Sequence, residues 1–149
     1  MKNTLTFTTT IRSPRQHVWE TMFSPDGYRT WTAPFMEGSY YSGSWEQGQK
    51  IQFLSPGGEG MTAEIAESRP HEFLSIRHLG EVRDGVEDTT SDKVRAWAPA
   101  YENYALAEAD GGTALTVSVD TLAEYEQYMQ DTFPKALAAL KALCEGAAP

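Results

Sequence analysis

AEYEQYMQDTFPKALAALKAL, residues 123–143, decides how the chain is assembled. Tyr125, Met129, Phe133, Ala136, Leu137 and Leu140 recur at spacings of three and four, and Cys144 continues the stripe. The segment therefore reads as a long amphipathic helix with one apolar face to bury. Pro134 lies inside the pattern without an N–H to donate, which predicts a kink or a separate first turn rather than one straight rod. Such a helix needs an apolar surface to cover, and the preceding sequence supplies one.

LTFTTTI, residues 5–11, alternates at a period of two, with Leu5, Phe7 and Ile11 on one face, as a half-buried strand does. Ser13 and Pro14 read as an N-cap and a first helical residue, opening a helix to about Phe23 that turns Val18, Trp19 and Met22 inward. SPDG, residues 24–27, breaks it, and Pro25 opens a second short helix that carries Tyr28 and Trp31 and stops at Pro34. Short strands follow at 38–41, at Lys50–Leu54 with Ile51 and Phe53 on one face, and at Met61–Ile65 with Met61, Ala63 and Ile65 inward. After the Arg69-Pro70-His71 turn, a strand at 73–79 puts Leu74, Ile76 and His78 on one face. Residues 81–98 are polar and acidic, with a short helix from near Ser91 stopped by Pro99, and read as an inserted flap. Tyr101–Glu108 and Thr113–Asp120, joined through Asp110-Gly111-Gly112, read as a hairpin presenting Leu115, Val117 and Val119. The expectation is an α+β domain: six or seven antiparallel strands, two short helices after the first, and the terminal helix covering the sheet.

The 149 residues fit a single domain, 1–149, that buries roughly 70% of the surface of its unfolded form. No apolar run approaches the ~20 residues of a membrane span, so none is expected. MKNTLTFTTT lacks the apolar core and cleavage site of a secretory signal, which points to the cytoplasm. A net charge of −9 without a Lys/Arg cluster opposes the basic footprint that binds phosphate, so nucleic acid is not an expected partner. Cys144 stands alone, which excludes an intramolecular disulfide, and its place on the helix stripe makes it a small core residue.

Motif chemistry is sparse. His17, His71 and His78 fall on a helix, a turn and a strand, with no HExxH or CxxC pairing, so no metal is expected. PGGEG, residues 56–60, lacks the order of a phosphate-binding loop, and no other cofactor motif stands out. Glu87, Asp88 and Asp92 lack the spacing of a calcium loop and read as a solvated flap. Without a GxSxG elbow, a serine hydrolase is not expected.

SPRQHVWETMFSPDGYRTW (13–31), SRPHEFLSIRHL (68–79), ADGGTALTVSV (109–119) and the terminal amphipathic helix occur in the order seen in a known superfamily. The chain resembles the START-like, helix-grip proteins (SRPBCC, polyketide cyclase-like), and within them the group related to the activator of Hsp90 ATPase. The resemblance implies a strongly curved antiparallel sheet gripping the C-terminal helix, with an apolar cavity between them. It also implies binding of lipids, sterols, hormones or polyketides, and in a few members cyclisation or dehydration. Relatives often carry tryptophan where this chain has His78, and the 81–98 flap is longer than in minimal members.

On that implied fold the walls of a binding cavity would be Trp31, Phe35, Phe53, Met61, Ile65, Ile76, His78, Trp97, Tyr104, Tyr125, Met129 and Phe133. Trp19 is expected in the core. Whether Tyr28, Trp31 and Phe35 seal a pocket or fill one is open at this stage. The first expected function is binding of a small hydrophobic or amphipathic molecule: a lipid, polyketide or aromatic metabolite. The alternative is a cyclase or dehydratase using His78 as acid-base group, with Tyr104 or Tyr101 as proton donor. A co-chaperone-like interaction role ranks third, and Trp97 could cover the pocket mouth or bury itself in a homodimer.

Overall fold

β1 (Lys2–Ile11), the threonine-rich opening strand, is followed by α1 (Arg15–Phe23) and α2 (Pro25–Trp31) in the computed structural model, which describes residues 2–146. Then come β2 (Tyr40–Gly43), β3 (Lys50–Leu54), β4 (Gly60–Arg69), β5 (Phe73–Arg83), β6 (Val86–Asp88) and α3 (Asp92–Arg95). β7 (Ala100–Ala109) and β8 (Gly112–Leu122) form the long hairpin before α4 (Glu126–Cys144). The strands make one eight-stranded antiparallel sheet in the order β1-β8-β7-β5-β4-β3-β2, with β6 pairing only the far end of β5. Seven strands therefore form the continuous sheet. The eighth comes from the region expected to be a flap: β5 continues to Arg83 and turns back through Asp84 and Gly85 into β6.

Three further expectations are corrected. Ser13 does not cap α1; Pro14 holds the N-cap position with no side-chain bond, while Ser13 is buried with its carbonyl accepting the Thr113 hydroxyl at 2.6 Å. The cap with proline behind it is used one helix later, where the Ser24 side chain accepts the Gly27 N–H and Pro25 opens α2. A Cβ on Gly27 would stand 1.8 Å from the Thr21 carbonyl oxygen, so the close approach of α1 and α2 requires glycine there. The second strand begins at Tyr40, two residues later than its pattern suggested. Pro134 sits within α4, and the separate turn is a 3-10 turn at Ala123–Tyr125, far from the proline. Pro134 and Gln130 are both exposed, so the carbonyl that loses its N–H partner faces water.

Register shifts in the β4–β5 pairing at Thr62/Ala63 and Ile65/Glu67 are bulges of the kind that bend a sheet. Against its concave face α4 buries Phe133, Ala136, Leu137, Leu140 and Cys144, and α1 and α2 pack beside it. Phe133 stacks on Phe7 with ring centres 4.9 Å apart and meets Phe35 edge-on at 4.8 Å. Trp31 is 2% exposed; its indole N–H donates to the Met22 carbonyl at 3.0 Å, and Tyr28 and Tyr104 meet its ring edge-on. Of Tyr28, Trp31 and Phe35, Trp31 is part of the buried core, and Tyr28 and Phe35 are half-buried against it. Trp19 is half-buried against that core, edge-on to Phe23.

Polar groups of α4 and its cap also reach the outer edge of β1. Glu126 accepts from the Asn3 amide, the Lys141 ammonium donates to the Thr10 carbonyl at 2.9 Å, and Glu145 accepts the Arg12 N–H at 3.0 Å. No helix among the described residues is long and apolar enough to cross a membrane.

Candidate functional site

Where α4 begins, it stands off the sheet. Between its first turns and strands β4, β5, β7 and β8 lies a cavity of about 670 Å³, within the range of small-molecule sites. Met129, Tyr125 and Tyr128 line it from the helix side, Met61, Val82, Ala100 and Val119 from the sheet, and Trp97 from the segment after α3. His78 and Glu102 are its polar sheet wall. A smaller, more open recess of about 380 Å³ adjoins it across Glu59 and Gly60, with Tyr28, Met36 and Phe53 among its walls.

The 81–98 segment holds Trp97 in place with more than solvated charge. Glu87 accepts from Gln52 at 2.6 Å, from Thr62 at 2.7 Å and from the Lys50 ammonium, which together hold its carboxyl down to about 2. Asp88 accepts the backbone N–H groups of Thr90 and Ser91, Ser91 caps α3, and Val94 is fully buried beneath it. Lys2 donates to the carbonyls of Trp97 and Pro99, tying β1 to the same segment.

Register brings the sheet wall together. His78 pairs with Ala100 and Ile76 with Glu102, so His78 and Glu102 are diagonal neighbours on one face. The His78 Nε2 lies 2.9 Å from Glu102 Oε1, and the Tyr104 hydroxyl donates to Glu102 Oε2. Burial pushes the Glu102 carboxyl up, but the hydrogen bond and charge of His78 and the bond from Tyr104 outweigh it and hold Glu102 below the usual carboxylate range. An ionised Glu102 requires Nε2 to carry its proton. Nδ1 is buried without a partner among the described residues, under a Phe53 ring centred 5.5 Å from the imidazole. Burial and the Glu102 charge raise the Tyr104 phenol well above its ordinary value, which keeps it a neutral donor. Burial lifts the Cys144 thiol to about 11, so it is no nucleophile at neutral pH.

Of the residues expected to line a pocket, Met61, His78, Trp97, Tyr125 and Met129 meet at this cavity, Tyr125 on its exposed rim. Phe53 faces the smaller recess. Trp31, Ile65, Ile76, Tyr104 and Phe133 are packed in the core, and Phe35 is half-buried against Phe133 and Tyr128. Tyr101 is half-buried and pairs with Arg77, whose guanidinium binds Glu64. Sequence reasoning passed over Glu102. In AYENYAL, residues 100–106, the period of two that buries Ala100, Tyr104 and Leu106 also turns Glu102 inward.

The depressed carboxyls set an acid limit on stability. For Glu87 and Glu102 the folded value lies below that of an exposed glutamate, about 4.3. Their stabilisation is therefore complete above that pH and is lost as pH falls through the folded value. The melting temperature is expected to be flat above about pH 5 and to fall steadily toward pH 2, with a shallower fall in Glu87→Gln. An unchanged acid limb in that variant, measured by circular dichroism, would remove Glu87 from the explanation.

No protein-family model matches the chain, and no curated protein matches it in sequence. Solved structures match it in shape. Protein CV1439 from Chromobacterium violaceum superposes with a TM-score of 0.70 at 18% identity, over 96% of this chain and 97% of that one. The Aha1 protein of Colwellia psychrerythraea, solved in solution as a dimer, gives 0.71 at 16%, over 99% of each chain. DynU16, from the dynemicin biosynthetic locus, gives 0.70 at 15%, and this chain spans 48% of its length. At such identities the likeness is one of fold, and the fold is the helix grip: an antiparallel sheet of eight strands closed over a long C-terminal helix, with two short helices after the first strand.

Proposed function

We propose that the chain binds a small apolar or amphipathic molecule in the cavity between the sheet and the start of α4. The observation that carries this reading is a cavity of about 670 Å³ beside a core whose aromatics are otherwise packed ring on ring. Met61, Val82, Trp97, Val119 and Met129 give it adaptable apolar walls, and methionine suits irregular ligands. Trp97 belongs to those walls and is half-buried there.

The test is native mass spectrometry of the purified chain against its denatured mass, together with titration of the neutral fluorophore N-phenyl-1-naphthylamine. Ala100 is buried where it lines the cavity, and Ala100→Phe is expected to weaken fluorophore binding by at least about tenfold with little change in melting temperature. Failure of the wild-type chain to bind the fluorophore or to retain any molecule would overturn the reading.

Acid-base catalysis on the bound molecule is the second reading, favoured by the His78–Glu102 pair on the cavity wall. It ranks lower because the ring nitrogen left free to exchange a proton, Nδ1, is closed off from the cavity.

A further inference from the structure

The hydrogen-bonding capacity of the cavity's sheet wall is one-sided. On the sheet wall the His78 Nε2–H is spent on Glu102, as is the Tyr104 hydroxyl from the core behind it, and the Thr121 hydroxyl is turned to the Leu122 carbonyl at 3.4 Å. The cations around the cavity are engaged as well: Lys93 with Glu81 at 3.2 Å, Arg83 with Glu59 at 3.8 Å, and Lys2 with two backbone carbonyls. The Tyr128 hydroxyl donates to the Phe35 carbonyl at 2.9 Å. Glu102, by contrast, keeps 22% of its side-chain surface accessible, and each of its oxygens has accepted one bond from a side chain and can accept another. Five carboxylates line the cavity against three Lys/Arg cations, so the surrounding charge reinforces the same preference.

Resting on the binding reading above, we infer that the cavity selects molecules with a hydrogen-bond-donating head, a hydroxyl or a protonated amine, on an apolar body, and rejects free carboxylic acids. The head donates to Glu102, and the body lies against Met61, Trp97, Val119 and Met129. A carboxylate head would meet an ionised Glu102 with no free donor on the sheet wall to bridge them, an unfavourable like-charge contact in a partly dry site. An alcohol or an ammonium satisfies the spare lone pairs.

The experiment is competition against bound N-phenyl-1-naphthylamine by 1-decanol, decylamine and decanoate at neutral pH, which share one chain and differ only in the head. Decanol and decylamine are expected to displace the fluorophore at concentrations at least about tenfold lower than decanoate. Glu102→Gln, which keeps an acceptor and removes the charge, is expected to narrow that ratio to about threefold or less, chiefly by improving decanoate. Equal competition by all three, or decanoate the strongest, overturns the head-group inference and leaves binding itself standing. A ratio unchanged in Glu102→Gln overturns the assignment to Glu102. A wild-type chain that binds neither the fluorophore nor any of the three overturns the binding reading and this inference with it.

Discussion

Trp31→Ala is expected to cost about 3–5 kcal/mol of folding stability, the usual range for emptying a fully buried aromatic site. Three losses combine. The indole's area returns to water or becomes a cavity, the Met22 carbonyl loses its donor, and the edge-on contacts with Tyr28 and Tyr104 disappear. At roughly 2–4 °C per kcal/mol for a chain of this size, the melting temperature should fall by about 6–20 °C. Urea titration with fluorescence and circular dichroism checks the figure. A loss below about 1 kcal/mol would mean that the site collapses freely and that Trp31 is not part of a tightly packed plug.

Glu102→Leu is expected to cost about 3 kcal/mol, although leucine fits an apolar cavity better than a carboxylate does. The cost comes from what stays behind. The His78 Nε2–H and the Tyr104 hydroxyl, both buried, lose their shared acceptor and gain none. Removing the histidine as well should return part of that loss, so His78→Leu with Glu102→Leu should cost less than the two single changes added together. A coupling of about 1–2 kcal/mol in the double-mutant cycle is the expected result, and strict additivity would show that the two side chains do not act as a pair. Glu102→Gln should be milder than Glu102→Leu, since it keeps an acceptor for one of the two donors.

Periodicity made much of this fold legible. Residues 123–144 have an apolar stripe no strand could use, and the alternation in LTFTTTI, FLSIRHL and TALTVSV admits no helix. Two Ser-Pro pairs look alike in sequence, yet Ser24 caps a helix and Ser13 does not, because the Thr113 hydroxyl takes the Ser13 carbonyl from far along the chain. β6 is three residues long and exposed at Val86 and Glu87, too short and too polar to show a period; it exists because β5 offers it an edge.

The site was harder to read for a related reason. Periodicity says which residues turn inward but not whether the interior is full, so Trp31 and Phe133 looked like pocket walls as readily as Met61 and Met129 did. Pairing between distant strands decides chemistry of the His78–Glu102 kind. Alternation in β7 turns Glu102 inward, but its partner depends on a register between β5 and β7 that no local pattern states.

The side chains that α4 and its cap lend to β1 protect the molecule from its own kind. β1 is a ten-residue, threonine-rich strand at the end of the sheet, paired on one side only, the arrangement that invites a second chain to add itself strand to strand. Lys141 takes the Thr10 carbonyl, Glu145 takes the Arg12 N–H just beyond the strand, and Glu126 with Asn3 crowds the opposite end. An incoming strand would have to displace charged groups to find its hydrogen bonds. The helix the sheet grips thereby guards the sheet's long open border against aggregation.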